Sequence, residues 1–351
     1  GLNVARPSDV PRATEYVDEM VTMIGQLHDL ARAYVTEDGV YMSVGTVEDY
    51  GLLAHQSIDE MLAGGGDRDV VGAEQKRHPA DFVLWKFSKP GEPAWPSPWG
   101  DGRPGWHSEC VVMSLDLLGE GFDLHCGGED LRFPHHENER AQAVALGKRF
   151  ANHWMHNGFI VDTEGEKMSK SLGNVSNLLD LIERYDPRAL RMVLLQSHYR
   201  SPITVTTTNL ESAVQALAGL DAFARRATGV PDAPADASVL DQFRAAMDDD
   251  LDTPRATALL FDTVRAANAA LDADHAEAPA LVAAATEIAG AFGLVLGGDG
   301  ADVPAEVLAQ TAALDAARAA KDYAAADAIR DELQTAGWSV ETTKSGTTVH
   351  R

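Results

Sequence analysis

Residues 122–126, FDLHC, have the short apolar character of a parallel strand and run directly into Gly127, Gly128, Glu129 and Asp130, which make a turn. Pro134 then opens a helix expected to reach Ala145. A strand, a glycine turn and a helix in that order form one unit of a doubly wound α/β sheet. Such sheets take ligands at the carboxyl ends of their strands, and here that edge carries the two glycines and two acids.

The flanking sequence supplies the rest of the α/β layer. Ser8 and Asp9 ahead of Pro11 mark a helix start, and Val17, Met20, Val21, Ile24, Leu27 and Leu30 recur at helical spacing. Residues 35–44 predict a hairpin turning at Asp38 and Gly39, residues 81–87 predict a strand, and the Pro/Gly-rich run 89–105 predicts a structural loop. From about Asn209 the pattern becomes helical and alanine-rich, which predicts an antiparallel bundle. Beyond the link at 297–304, two helices and a short β segment predict a small terminal module.

At 351 residues the chain has room for two or three domains with real cores. It contains no run of 18 apolar residues and no signal peptide, so a cytoplasmic protein without a membrane partner is expected. Two cysteines, Cys110 and Cys126, are too few for a disulfide framework, and their His, Glu and Gly neighbours favour metal or thiol chemistry. The net charge of −25 by itself argues against nucleic acid, because Lys and Arg normally neutralise the phosphates. The acids are dispersed along the whole chain and Lys is scarce beside Arg. That pattern suits work at high salt, where repulsion from RNA is screened; an ordinary acidic enzyme is the alternative.

Two constellations carry chemistry. Residues 164–174, EGEKMSKSLGN, set Lys167 and Lys170 among serines ahead of a glycine. Ammonium groups on such a loop follow the β- and γ-phosphates of a nucleotide as charge develops on leaving pyrophosphate; the plainer reading is a solvated basic turn. Cys110, His135 and Glu139 offer a thiol, an imidazole and a carboxylate, the last two at i, i+4 on one helix face, a set that suits zinc.

The string KMSKS at 167–171 resembles the second signature loop of class I aminoacyl-tRNA synthetases. GRPGWHSECVVMS at 102–114, FDLHCGGEDLRFPHHENERAQ at 122–142 and HWMHNGFI at 153–160 follow the order and spacing of cysteinyl-tRNA synthetases. MDDDLDTPRATALLF at 247–261 and DYAAADAIRDELQTAGW at 322–338 extend the likeness over essentially the whole chain.

The resemblance implies an α/β fold class, the remainder of a Rossmann-like class I synthetase catalytic domain followed by a helical bundle and a small α+β C-terminal module. The catalytic part with its connective insertion is expected over 1–160, and the KMSKS loop and stem-contact region over 161–206. A tRNA-binding bundle is expected over 207–300 and an anticodon-recognition module over 301–351. In that module Arg318, Lys321 and Arg330 supply cations, and Trp338 is either a platform for an unstacked base or a packed anchor. The implied activity is that of a cysteine--tRNA ligase: cysteine attacks the α-phosphate of ATP, and the tRNA 3′ hydroxyl takes the cysteinyl group from the adenylate.

The site residues follow by the same resemblance. Cys110, His135 and Glu139 match the family's zinc positions, one Zn²⁺ per subunit, with another family cysteine on a segment ahead of this one. Zinc would bind the substrate thiolate and so reject serine without an editing site. Gly127, Gly128 and Asp130 match the GGxD element that takes the ATP ribose; Lys167 and Lys170 match the catalytic lysines, Lys170 also touching ATP, with Mg²⁺ alongside. Trp106, His107 and His125 either wall the amino-acid pocket or are packed core side chains. His136 is unassigned, and Cys126 is read as small and packed or else as a neighbour of zinc. The implied partners are tRNA(Cys), cysteine and ATP, with the chain a monomer.

The family's HIGH-type tetrapeptide is absent from the sequence. On the order of 100 residues, half a nucleotide fold, are therefore expected ahead of Gly1, with the chain alone inactive. Two alternatives share parts of this pattern: a ligase resembling the mycothiol-pathway enzyme that joins cysteine to an amino sugar, and a non-catalytic tRNA-binding paralogue.

Overall fold

The computed structural model describes residues 2–55, 75–161, 178–297, 304–343 and 346–350, so Lys167 and Lys170 lie outside the described residues. The chain divides into two compact units. One comprises Val4–Val175 and Tyr199–Val205, the other Gly1–Asn3, Ser176–His198 and Thr206–Arg351.

In the first unit, helix α1 (Val17–Asp29) buries Val17, Met20, Ile24 and Leu27 of the predicted stripe together with Met23, while Val21 is half-buried. Leu30, expected on that stripe, falls past the helix end and is exposed. The helix begins at Val17, where the apolar period begins; near Pro11 the chain makes only a single turn, Ala13–Glu15. Strands β1 (Ala33–Val35) and β2 (Gly39–Met42) form the expected hairpin, with the Thr36 N–H donating to Gly39 O at 2.8 Å. They extend through β3 (Phe82–Phe87) and β4 (Gly102–Pro104) into an antiparallel sheet ordered β1-β2-β3-β4. Leu84 and Trp85 of β3 are fully buried in the core that α1 covers. Burying each such large apolar side chain stabilises the unit by about 1.5–3 kcal/mol.

Gly105 aims the next element. Its N–H donates to Leu84 O at 2.7 Å, and a Cβ there would stand 2.2 Å from Val83 O, so only glycine lets the chain lie this close to β3. Helix α2 (Trp106–Leu118) starts from that contact. Strand β5 (Phe122–Gly128) then pairs in parallel with β6 (Ala151–Asn157), and between them runs helix α3 (Glu137–Ala145). This is the strand–turn–helix unit read from the sequence. Pro134 opens the helical segment as expected: within Arg132–His136 only Phe133 is non-helical (φ −137°, ψ 134°), and the chain runs from there into α3; a residue preceding proline disfavours helical angles, so Phe133 marks the boundary. A second parallel pair joins β7 (Ile160–Val161) to β8 (Ile203–Thr204).

The second unit opens with α4 (Leu178–Arg184) and α5 (Pro187–Leu195), the latter capped by Asp186, which accepts from the Arg188 N–H at 2.8 Å. The Ala-rich stretch forms α6 (Thr207–Ala227), α7 (Ala237–Asp248), α8 (Thr253–Asp272) and α9 (Ala278–Ala291). Thr206, Asp236 and Asp252 accept from backbone N–H groups of the first turns of α6, α7 and α8. Helices α10 (Ala305–Ala319) and α11 (Tyr323–Thr335) lead into the antiparallel pair β9 (Ser339–Thr343) and β10 (Gly346–His350). Trp338 is 5% exposed and packs with Val307 and Leu333, so the anchor reading holds and the free platform does not. No helix among the described residues is long and apolar enough to cross a membrane.

Candidate metal centre

Cys110 comes from the second turn of α2, and Glu139 from the first turn of α3, with His135 in the helical turn just before it. Donor atoms of Cys110, His135 and Glu139 all lie within 4.8 Å of one another, three residues 29 positions apart in sequence brought to one point. His135 and Glu139 are 5% and 0% exposed. A second donor group, His125, His136 and Glu139, shares the same carboxylate. The pairing of His135 with Cys110, and of His136 with the other group, is what i, i+1 neighbours on a helix require, since their side chains diverge.

Two of the three donors, His135 and Glu139, are held from behind. His107 Nδ1 lies 2.7 Å from His135 Nδ1, and His125 Nε2 lies 2.8 Å from Glu139 Oε2. Trp106 stacks on the His135 ring, with centroids 4.1 Å apart, and is itself 57% exposed. The remaining carboxylate oxygen, Glu139 Oε1, is buried and faces His135 Nε2 at 3.0 Å. A buried carboxylate oxygen needs either a proton donor or a cation beside it, and His135 Nε2–H or a bound metal ion would each meet that need.

The electrostatics agree. Burial pushes the Cys110 thiol up to about 12, with the Glu139 charge beside it adding to the effect. Burial also works against ionising Glu139, but hydrogen bonds and charge from His125 and His135 hold it down to about 2. Burial lowers His107 and His136 to about 4, so both are neutral at pH 7, the form in which imidazole accepts a proton or a metal. Soft sulfur, imidazole nitrogen and carboxylate oxygen together form a donor set suited to zinc.

The structure places Gly127, Gly128 and Asp130 at the carboxyl end of β5, beside this centre. A Cβ on Gly127 would meet His136 Cε1 at 2.7 Å, and one on Gly128 would meet Asp130 Oδ1 at 2.6 Å, which explains the glycine pair. Of the three residues read as pocket walls or core, His107 and His125 contact the donors directly and Trp106 covers one of them. Cys126 is exposed and joins neither donor group, correcting its reading as packed. His156, whose Nε2 lies 2.9 Å from His136 Nδ1, was not legible beforehand; only the register of β6 on β5, His156 opposite Gly127, brings it here.

Residues 1–215 match the family described as tRNA synthetases class I (C) catalytic domain, and residues 242–297 match the DALR domain. A solved structure of Mycobacterium tuberculosis methionyl-tRNA synthetase in complex with methionyl-adenylate shares the fold, with a TM-score of 0.58 over 82% of this chain and 73% of that one, at 15% identity. Fold and family match together define a class I aminoacyl-tRNA synthetase. The protein named cysteine--tRNA ligase of Halorhodospira halophila is 46% identical over 358 residues, covering 99% of this chain and 76% of that protein. Its counterpart in Azotobacter vinelandii is 46% identical over 360 residues, covering 99% and 77%. The chain belongs to the cysteine--tRNA ligase family of aminoacyl-tRNA ligases.

Proposed function

We propose that this chain serves the charging of tRNA(Cys), selecting cysteine through a zinc centre on Cys110, His135 and Glu139. Support comes from the convergence of the Cys110, His135 and Glu139 donor atoms within 4.8 Å, with the buried Glu139 Oε1 facing His135 Nε2. The 2.7 Å contact between His107 Nδ1 and His135 Nδ1 takes one proton; in the tautomer where His135 supplies it, the Nε2 lone pair and the carboxylate oxygen are both free to hold a cation. Bound there, zinc would supply a Lewis acid that prefers a thiolate to a hydroxyl.

The chain's own residues do the positioning. His107 fixes the His135 tautomer, His125 turns the Glu139 carboxylate, and Trp106 shields the His135 face from water. Gly127 and Gly128 form the carboxyl end of β5, where such sheets take a nucleotide, with Asp130 available to its ribose hydroxyls. Lys167 and Lys170 are the groups to neutralise pyrophosphate as it leaves, with Mg²⁺ on the phosphates. The bundle over 207–300 and the module over 301–351 are read as the tRNA-binding and anticodon-reading parts, with Arg318, Lys321 and Arg330 as cations. The reading includes a monomer at work in the cytoplasm.

Isothermal titration of the zinc-loaded chain with cysteine and with serine tests the selection. Cysteine should bind at least about 100-fold more tightly, because a site built around one polar group strongly rejects a ligand lacking it. Equal affinity for the two amino acids contradicts a thiol-selecting centre.

A further inference from the structure

Cys110 and Glu139 sit on different helices, α2 and α3, and only the packing of one helix on the other brings them together. Most of that seam is apolar: Val111, Ala141 and Ala143 are fully buried. Two polar side chains interrupt it. Ser108, two residues before Cys110, donates its hydroxyl to Gln142 Oε1 at 2.7 Å, and Gln142 lies three residues after Glu139. Both are 0% exposed. The Gln142 amide in turn donates to Asn138 O at 3.1 Å, and Asn138 Oδ1 accepts from Tyr50 Oη at 2.6 Å.

An apolar pair would pack this seam at least as well, so hydrogen bonding between Ser108 and Gln142 adds specificity more than stability. Sliding α2 along α3 by one residue, a rise of about 1.5 Å, would leave both groups unpaired in apolar surroundings. An apolar seam of small residues imposes no such penalty on a slipped register.

We propose that Ser108 and Gln142 are positioning residues for the metal centre: their buried hydrogen bond sets the register of α2 on α3 that delivers Cys110 to His135 and Glu139. The inference rests on the zinc reading above. Zinc affinity is measured on the full chain by competition with a chromogenic chelator, beside cobalt(II) spectra and thermal melts. Ser108→Ala and Gln142→Met should each weaken zinc binding about 10-fold or more and diminish the thiolate-to-cobalt charge-transfer band. Ser108→Thr, which keeps the hydroxyl, should bind as wild type. The double variant S108A/Q142M leaves no polar group unpaired and should recover melting temperature without recovering affinity; it carries the test if a single variant does not fold. Lowered melting temperatures with wild-type affinity and cobalt spectra, or a double variant that regains affinity, would overturn the proposal. Cys110→Ser in the same assay separates the two claims, since wild-type zinc affinity there means that the metal reading itself has failed.

Discussion

His125 Nε2 meets Glu139 Oε2 at 2.8 Å, and this one contact fixes which oxygen of the buried carboxylate is left to face His135 and Cys110. His125 reaches it from β5 and Glu139 from α3, so the strand–turn–helix unit itself sets the angle of the carboxylate. Removing the imidazole frees the carboxylate to rotate. His125→Ala should therefore weaken zinc binding about 10- to 100-fold, the usual cost of losing a partner of a metal ligand. Chelator competition measures it; affinity within twofold of wild type would show that His125 does not orient Glu139.

Zinc binding should depend on pH with a definite sign. The Cys110 thiol, raised to about 12, must lose its proton to bind, whereas Glu139, lowered to about 2, is already ionised at neutral pH. Between about pH 7.5 and 9 the logarithm of the affinity should rise by about one per pH unit, with release of about one proton. Calorimetry in buffers of different ionisation enthalpy counts that proton. A flat profile over this range removes Cys110 from the ligand set.

Most secondary elements of this fold were legible because they obey simple periods. Val17, Met20, Ile24 and Leu27 recur at helical spacing and all four are buried, and Asp38 with Gly39 marks the hairpin. Cys110, His135 and Glu139 were legible as candidates from residue type and from the i, i+4 relation. What supports them was not. Glu137, Asn138, Glu139 and Gln142 look like a solvated helix face but are all buried, because their partners lie far away in sequence: Leu53 and Ala54 N–H groups for Glu137, Tyr50 for Asn138, Ser108 for Gln142. The helix opening at Pro134 is legible from proline's place at first helical positions, and the extended Phe133 before it marks that boundary.

In the helical unit, Arg188 holds Asp221 through two hydrogen bonds of 2.9 Å, reaches Asp186, and donates to Val295 O at 2.7 Å. Asp221 is 7% exposed, so removing the guanidinium strands a nearly buried charge. Arg188→Lys cannot reproduce the planar fork and should destabilise the unit by roughly 2–3 kcal/mol. Urea unfolding followed by helical circular dichroism reads this out, and an unchanged midpoint would make the network dispensable.

A net charge of −25 makes the fold repel itself. Raising KCl from about 0.15 M to about 1 M shortens the screening length from about 8 Å to about 3 Å, so the melting temperature should rise with salt if the acidity is an adaptation to a saline interior. A melt that ignores salt, or falls with it, supports the ordinary acidic enzyme.

The most direct test is the zinc content of the purified chain after dialysis, compared with that of Cys110→Ser. Elemental analysis should find weakly held zinc in the wild-type chain, because three of the family's ligands are present, and almost none in the variant, while circular dichroism shows the variant still folded. Equal zinc in the two proteins, or none in either after loading with excess zinc, would contradict a metal centre built on Cys110, His135 and Glu139.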